Sequence, residues 1–421
     1  MYVGGDFTTM GSVTANKLAK WNGSAWTSWD TGEALGNYGY AIMDDGAESM
    51  YVGGQFVSAG ASAIKGIAKW NGAAWSPVGG GIGGTVRALA KDKTGNLYAG
   101  GAFLTAGNVA AKNVAKWDGS AWSALGSGIS STSNSMVISL ATDTTGNLYA
   151  SGIFTTAGGI AANNIAKWDG TAWSPLGSGL VYSGSMTYVY SIKTDSADNL
   201  YAGGQFDSAG GAAIRGIAKW DGSTWSQLGS GVNGNVISIY IDNMDNVYAA
   251  GGFTTAGGVA ANRIAKWDGS AWTPLGSGLS SSVYSMVQDS AGSLYVGGSA
   301  TTAGGVVANR IAKWDGSSWY ALGSGIDYYI NALLVKRNTL FAAGSQTTAG
   351  DKTSSYFSIW QPRVNQSTAS LSETPGAKTL GNDIYGFYKP ALTTDASTTV
   401  AYSGGLPVDV TLDRADEILV N

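Results

Sequence analysis

Eight times along this chain an aromatic residue is followed nineteen positions later by tryptophan: Tyr2 by Trp21, Tyr51 by Trp70, Tyr98 by Trp117, Tyr149 by Trp168, Tyr201 by Trp220, Tyr248 by Trp267, Tyr295 by Trp314 and Phe341 by Trp360. Units this small cannot close a core alone, so tandem copies must bury their apolar faces on one another. Repeats starting near residues 2, 51, 98, 149, 201, 248, 295 and 341 therefore merge residues 1–362 into one body and set residues 363–421 apart. The repeat specifies a scaffold; function has to be sought where the copies differ.

Each unit contains four short segments rich in Val, Ile, Tyr and Trp, bounded by Gly, Asn, Asp or Ser. In the seventh unit they are residues 283–288, 294–299, 309–314 and 318–322. Such segments read as strands and turns, and helical periodicity is nowhere sustained. Trp-Asp-Gly-Ser at 267–270 places Asp-Gly between two strands, where glycine can close a tight hairpin. An aspartate six residues before the aromatic, as at Asp92, Asp143 and Asp195, predicts a side-chain turn. One glycine of the second strand never changes: Gly5, Gly54, Gly101, Gly152, Gly204, Gly251, Gly298 and Gly344. Glycine inside a strand implies a bulge, or a backbone or ring pressing close, most economically a tryptophan of the same or a neighbouring unit.

Four antiparallel strands in a period of about 50 residues is the spacing of a propeller blade. The diglycine of Leu-Tyr-Val-Gly-Gly at 294–298, Trp314, and a second tryptophan five residues on at Trp319 resemble the kelch motif of galactose-oxidase-type propellers, in the Trp-Asp-Gly-rich variant of secreted bacterial and viral surface proteins. The resemblance covers residues 1–362, with Trp where kelch units usually carry Tyr. The expected fold class is all-β: a β-propeller of four-stranded antiparallel blades, eight favoured over seven, with a C-terminal β-rich extension. The repeated tryptophans are expected to wedge between adjoining sheets. The first unit lacks an inner strand and the last lacks an outer tryptophan, so a stretch of the tail such as 398–402 or 408–412 is expected to help close the ring. Further short strands, including 383–388, would make the tail a packed clasp or an attachment segment.

Charged residues are only 12% of the chain and the net charge is −4, so no basic field recommends nucleic acid or an anionic membrane as a partner. No apolar run approaches the roughly 18 residues of a spanning helix, and no export signal is visible ahead of the first repeat. Histidine and cysteine are both absent. Their absence removes the commonest general base, thiolate sites and the ligands of a kelch-type copper oxidase. The Asp-rich stretch 242–246 faintly resembles a calcium loop but lacks its terminal bidentate Glu. No catalytic residue, cofactor or metal is therefore expected.

A lysine precedes the third-strand tryptophan in seven units, from Lys20 to Lys313. Its expected place is along the neighbouring indole, with its ammonium reaching a turn aspartate. Alternating strand direction puts the second-to-third loops and the between-unit loops on one face of the disc, the candidate binding surface. Substitutions that differ by copy mark it: Lys17, Lys65, Lys112, Asn164, Arg215, Arg263 and Arg310, with Tyr182, Tyr188, Tyr284, Tyr328 and Tyr329 in or beside the between-unit loops. Tyrosine offers rigid area with a polar tip, which suits protein or glycan. The expected protein is a noncatalytic scaffold outside the cell, on a cell surface or on a virion. The alternatives are a phage receptor-binding component, or a subunit that binds identical copies through its C-terminal segment.

Overall fold

The structure, a computed structural model, describes residues 39–361 apart from 46–48, 60–61, 72–73, 132–133, 327–328, 337–338, 345–347, 350–351 and 354–356, together with short strands within 2–28 and one at 417–419. These strands form eight main antiparallel sheets, joined by small ribbons at one face. In a representative sheet the order is Val236–Ile241, Val247–Gly251, Ile264–Trp267 and Trp272–Pro274, from inner to outer edge. Inner strands of successive sheets lie side by side, as Tyr188–Thr194 does against Met136–Thr142 and Val236–Ile241. The repeated antiparallel sheets are those of a β-propeller.

Core clusters sit between sheets. One joins Tyr149 and Ile165 of one sheet to Leu180, Val189, Ile192 and Leu200 of the next, all at most 4% exposed. No unit could bury this surface by itself, which is why the array has to be continuous. The indoles lock the seam. Outer-strand Trp122, Trp173, Trp225, Trp272 and Trp319 donate Nε1–H to the carbonyls of Val78, Leu125, Leu176, Leu228 and Leu275 in the preceding unit, at 2.7–2.8 Å. Each pairs with the third-strand tryptophan of its own sheet, for example Trp220 and Trp225 with centroids 5.4 Å apart and planes at 51°. The third-strand rings press on the preceding unit too: a Cβ on Gly229 would stand 2.9 Å from Trp267 Cζ3. Trp117, Trp168, Trp220, Trp267 and Trp314 lie against the glycine of the preceding unit, while Trp21, Trp70 and Trp360 are placed in their strands only.

Further polar stitches run near the axis. Ser139, Ser191 and Ser285 accept from the backbone N–H of Ile192, Ile239 and Leu333 on the following inner strand, at 3.1–3.2 Å. At the opposite face from the ribbons, the Asp245 carboxylate accepts from Ser196 of the preceding unit and Asp198 accepts from Thr144.

Two packing expectations need correction. Of the alternatives expected for the invariant second-strand glycine, the bulge and the close backbone are found, and the favoured tryptophan ring is not. A Cβ on Gly101, Gly152, Gly204, Gly251 or Gly298 would meet the inner-strand carbonyl of Thr85, Met136, Tyr188, Asn235 or Ser282 at 2.0–2.3 Å. Each carbonyl sits beside a register shift such as Val189/Ser191, so a bulge is the physical cause. Gly54 and Gly344 lie in the matching strands, and Gly5 falls outside the described residues. The lysines lie over tyrosine rather than tryptophan: Lys69, Lys167, Lys219, Lys266 and Lys313 hold Nζ 5.0–5.7 Å from the rings of Tyr51, Tyr149, Tyr201, Tyr248 and Tyr295. The register pairs each lysine with that tyrosine across the sheet. Lys69 does reach a turn aspartate, Asp45, at 2.6 Å, and Lys91 of the next sheet joins it at 2.5 Å.

At the chain ends, the first sheet has three described strands, Tyr2–Gly4, Leu18–Trp21 and Trp26–Ser28, and its edge strand Tyr2–Gly4 touches Thr339–Gly344 of the last sheet. The last sheet takes its outer strand from Glu417–Leu419, which sets Ile418 opposite Trp360 where other sheets pair two tryptophans. The segments 383–388, 398–402 and 408–412 lie outside the described residues.

Candidate binding face

The second-to-third loops fold back as two-residue ribbons, such as Thr255–Ala256 with Val259–Ala260. Residues 301–309 read as loop in the sequence, yet contain the ribbon Thr302–Ala303 with Val306–Val307. Gly-Gly at four of the tips supplies the positive φ the turn needs, +63° and +80° at Gly257 and Gly258. Between-unit segments pair with the ribbon of the following unit: Ile129–Ser130 with Thr156–Ala157, Leu180–Val181 with Ser208–Ala209, and single bridges Val232 to Ala256 and Leu279 to Ala303. Both loop sets therefore share one face, and the pairing makes it a fixed surface.

The copy-specific residues divide into two groups. Lys65, Lys112 and Arg215 have exposed side chains. The carbonyls of Lys65 and Lys112 accept from Ile82 and Ile129 at 2.7 and 2.9 Å, so the backbone is pinned while the cation faces water. Asn164, Arg263 and Arg310 occupy the next column, where φ is +64°, +69° and +66°. Asn164 accepts from Phe154 N–H at 3.1 Å and donates to Leu180 O at 2.8 Å, so its amide is a structural bridge. Arg263 turns its guanidinium back onto Gly252 O at 3.0 Å, and Arg310 is half-buried. Asn113, the buried member of this column, bonds Phe103, Ile129 and Ser135 and was not among the residues marked by the sequence. The signal was present: the column reads Gly66, Asn113, Asn164, Gly216, Arg263, Arg310, and alternation of Gly with Asn marks a left-handed residue.

The tyrosines gather on the inner strands at this face. Tyr188 stacks on Tyr190, centroids 5.6 Å apart and planes at 10°. Tyr284 meets Tyr329 of the next unit edge-on at 6.3 Å, and Arg87 lies 4.2 Å over Tyr40 of the preceding one. Tyr182 is half-buried in its between-unit loop. Tyr40, Arg87 and Tyr190 are members the sequence did not single out. Lys17 and Tyr328 lie outside the described residues. Apolar tips also project from the loops, among them Val57, Leu104 and Val307 at 66–69% exposure.

The opposite face is built from carboxylate turns. Asp118, Asp169 and Asp268 accept backbone N–H bonds from Ala121, Ala172 and Ala271 and further bonds from Ser120, Thr171 and Ser270, which hold each carboxyl down at about 2. Asp242 bonds the N–H groups of Met244 and Asn246 and the Asn246 amide within its own loop. Burial, and then the charge of Asp242, push the Tyr248 phenol up to about 12. These acids are turn-builders. Among the described residues no group of three or more acidic side chains is placed to hold a metal ion.

Comparison with known proteins agrees with the fold. Residues 41–194 match the family described as the Rax2 C-terminal beta propeller domain. No curated protein matches the chain. Among solved structures the chain is similar to the computationally designed Ika8 protein, with 14% identity over 77% of this chain and 84% of that one and a TM-score of 0.50. It is also similar to the WD40 beta propeller domain of Doa1, with 11% identity, 77% and 94% coverage and a TM-score of 0.44. A third is PorZ, a surface component of the type-IX secretion system of Porphyromonas gingivalis, with 15% identity over 83% of this chain and a TM-score of 0.39. The chain spans about half of PorZ, 49% of its length.

Proposed function

We propose that the protein is an extracellular or surface-displayed binding scaffold: an eight-bladed propeller over residues 1–362 that holds protein or glycan on its ribbon-bearing face. The observation that carries this reading is the asymmetry between the two faces. One is assembled from repeated carboxylate turns that spend their polar groups internally. The other is pinned by backbone pairing, varies from copy to copy, and displays tyrosines, cations and apolar tips. Eight main sheets favour eight blades over seven, with Glu417–Leu419 completing the last. The match of residues 41–194 to the Rax2 propeller domain supports the propeller, and the surface setting proposed is the one named for PorZ. The kelch-like motif remains a resemblance of the repeat, and a virion or filament role would use the same face or residues 363–421.

The chain has no cysteine, so single thiols can be placed at will. Ala161→Cys on the ribbon face and Ala121→Cys on the opposite face, both exposed, would each be capped with a bulky maleimide polymer. Binding to arrayed extracellular proteins and glycans is expected to vanish for the first and persist for the second. Equal binding by both, or loss only at Ala121, would overturn the reading.

A further inference from the structure

The spacing between units is longest at two successive junctions. Eleven residues separate the outer tryptophan from the buried inner-strand residue in four units (Trp75 to Val86, Trp225 to Val236, Trp272 to Val283, Trp319 to Ile330), but fifteen separate Trp122 from Val137 and sixteen separate Trp173 from Val189. The two insertions are consecutive. They follow the ribbons Ile129–Ser130 and Leu180–Val181, which pair with the next hairpins where the later units have single bridges at Val232 and Leu279. The second insertion is held in a defined shape. Tyr182 N–H donates to Thr187 Oγ1 at 2.8 Å, Ser183 N–H donates to both Asp207 carboxylate oxygens at 3.0 and 3.2 Å with its hydroxyl on the same group, and Asp207 N–H reaches Val181 O at 3.0 Å.

From this geometry we infer that the ridge over residues 181–190 is a subsite for a neutral oligosaccharide. The inference rests on the ribbon-face reading above and names its ligand class. Val181 and Met186 are each 40% exposed, beside half-buried Tyr182 and the stacked Tyr188 and Tyr190. Gln205 faces Tyr188 across the ladder, and serine and threonine hydroxyls line the loop. A pyranose presents the complement: an apolar C–H face for rings and methyls, and hydroxyls for amide and hydroxyl partners. Residues 181–190 carry no charged side chain, and the adjoining Asp207 is already bound by Ser183, so the ridge offers an ionic ligand no cation and opposes an anionic one. A second copy or another folded protein needs roughly 20–30 residues a side, and this patch supplies about one sugar-sized platform. The loop is preorganised, so binding a small ligand costs little ordering.

The full chain would be applied to an array of neutral, sialylated and sulfated glycans, and the best hit titrated calorimetrically. Neutral glycans alone are expected to bind. Tyr188→Ala should weaken them at least tenfold; Met186→Glu, on the exposed loop where folding is not at stake, should do the same, and Lys65→Ala and Lys112→Ala should change nothing. Preference for anionic glycans, or loss with the lysine variants instead, overturns the ridge as a neutral-sugar site while leaving the ribbon-face reading intact. So does protein binding, blocked at Ala161→Cys, without any glycan binding. If nothing binds, or the cap at Ala161→Cys has no effect, both fall together.

Discussion

Trp225→Phe tests the seam between sheets directly. The indole is 8% exposed and donates to Leu176 O at 2.8 Å, in a residue only 1% exposed. Phenylalanine keeps a ring in the slot beside Gly210 and Trp220 but removes the donor. That carbonyl keeps the Gly179 N–H at 3.1 Å, so the loss is one net hydrogen bond, about 0.5–1.5 kcal/mol. The smaller ring also forfeits roughly two buried carbon equivalents at about 0.8 kcal/mol each. The sum is about 2–3 kcal/mol, concentrated at one interface because each sheet contacts only its neighbours. Urea unfolding would read the loss, and amide exchange would place it in Leu200–Gln205 and the strands facing it. The same substitution at Trp122, Trp173 and Trp272 meets the same geometry and should cost the same within about 1 kcal/mol. Lys219→Ala, which removes only a cation over Tyr201, should cost less than about 1 kcal/mol. A penalty below about 0.5 kcal/mol at all four tryptophans would show that the indole N–H does not hold the blades together.

Gly204→Ala should destabilise by about 1–3 kcal/mol, read from the urea midpoint, because a Cβ would stand 2.3 Å from Tyr188 O and the bulged inner strand must move. An unchanged midpoint would mean the bulge is compliant. The turn carboxylates predict acid sensitivity: their folded pKa of about 2 lies below the ordinary aspartate value, so their contribution is full above about pH 4 and is lost as pH falls toward 2. Melting temperature should fall through that window, and Asp118→Asn combined with Asp169→Asn and Asp268→Asn should flatten the fall. An equal slope in the triple variant would place the acid sensitivity elsewhere.

What could be read from the sequence, and what could not, divides along register. Strand identity, the Asp-Gly hairpins and the aspartate turns are local, and the strand expected at 283–288 is the strand found, Val283–Gln288. Lysine and tryptophan adjacent in a strand point to opposite faces, so the lysine could never lie along its chain neighbour's indole. Its true partner, eighteen residues away, follows only once Tyr201 is known to oppose Lys219. The invariant glycine carried the same ambiguity: both a ring and a carbonyl exclude a Cβ, and choosing between them requires knowing which inner-strand residue is doubled at the bulge. The candidate site was legible as a face and poorly as residues, because a copy-specific side chain can differ for backbone reasons. Asn164, Arg263 and Arg310 vary where φ is positive, and their variation reports how each copy satisfies a bend. The more informative departure was length. Two consecutive insertions, visible in the spacing of Trp122 from Val137 and Trp173 from Val189, mark where the array stops repeating itself, and the ribbon pairing turns that irregularity into an ordered surface. In a scaffold whose copies are held nearly identical by their shared seams, a ligand can be distinguished only by what those seams do not constrain. The between-unit loops, anchored at both ends and open in the middle, meet that condition.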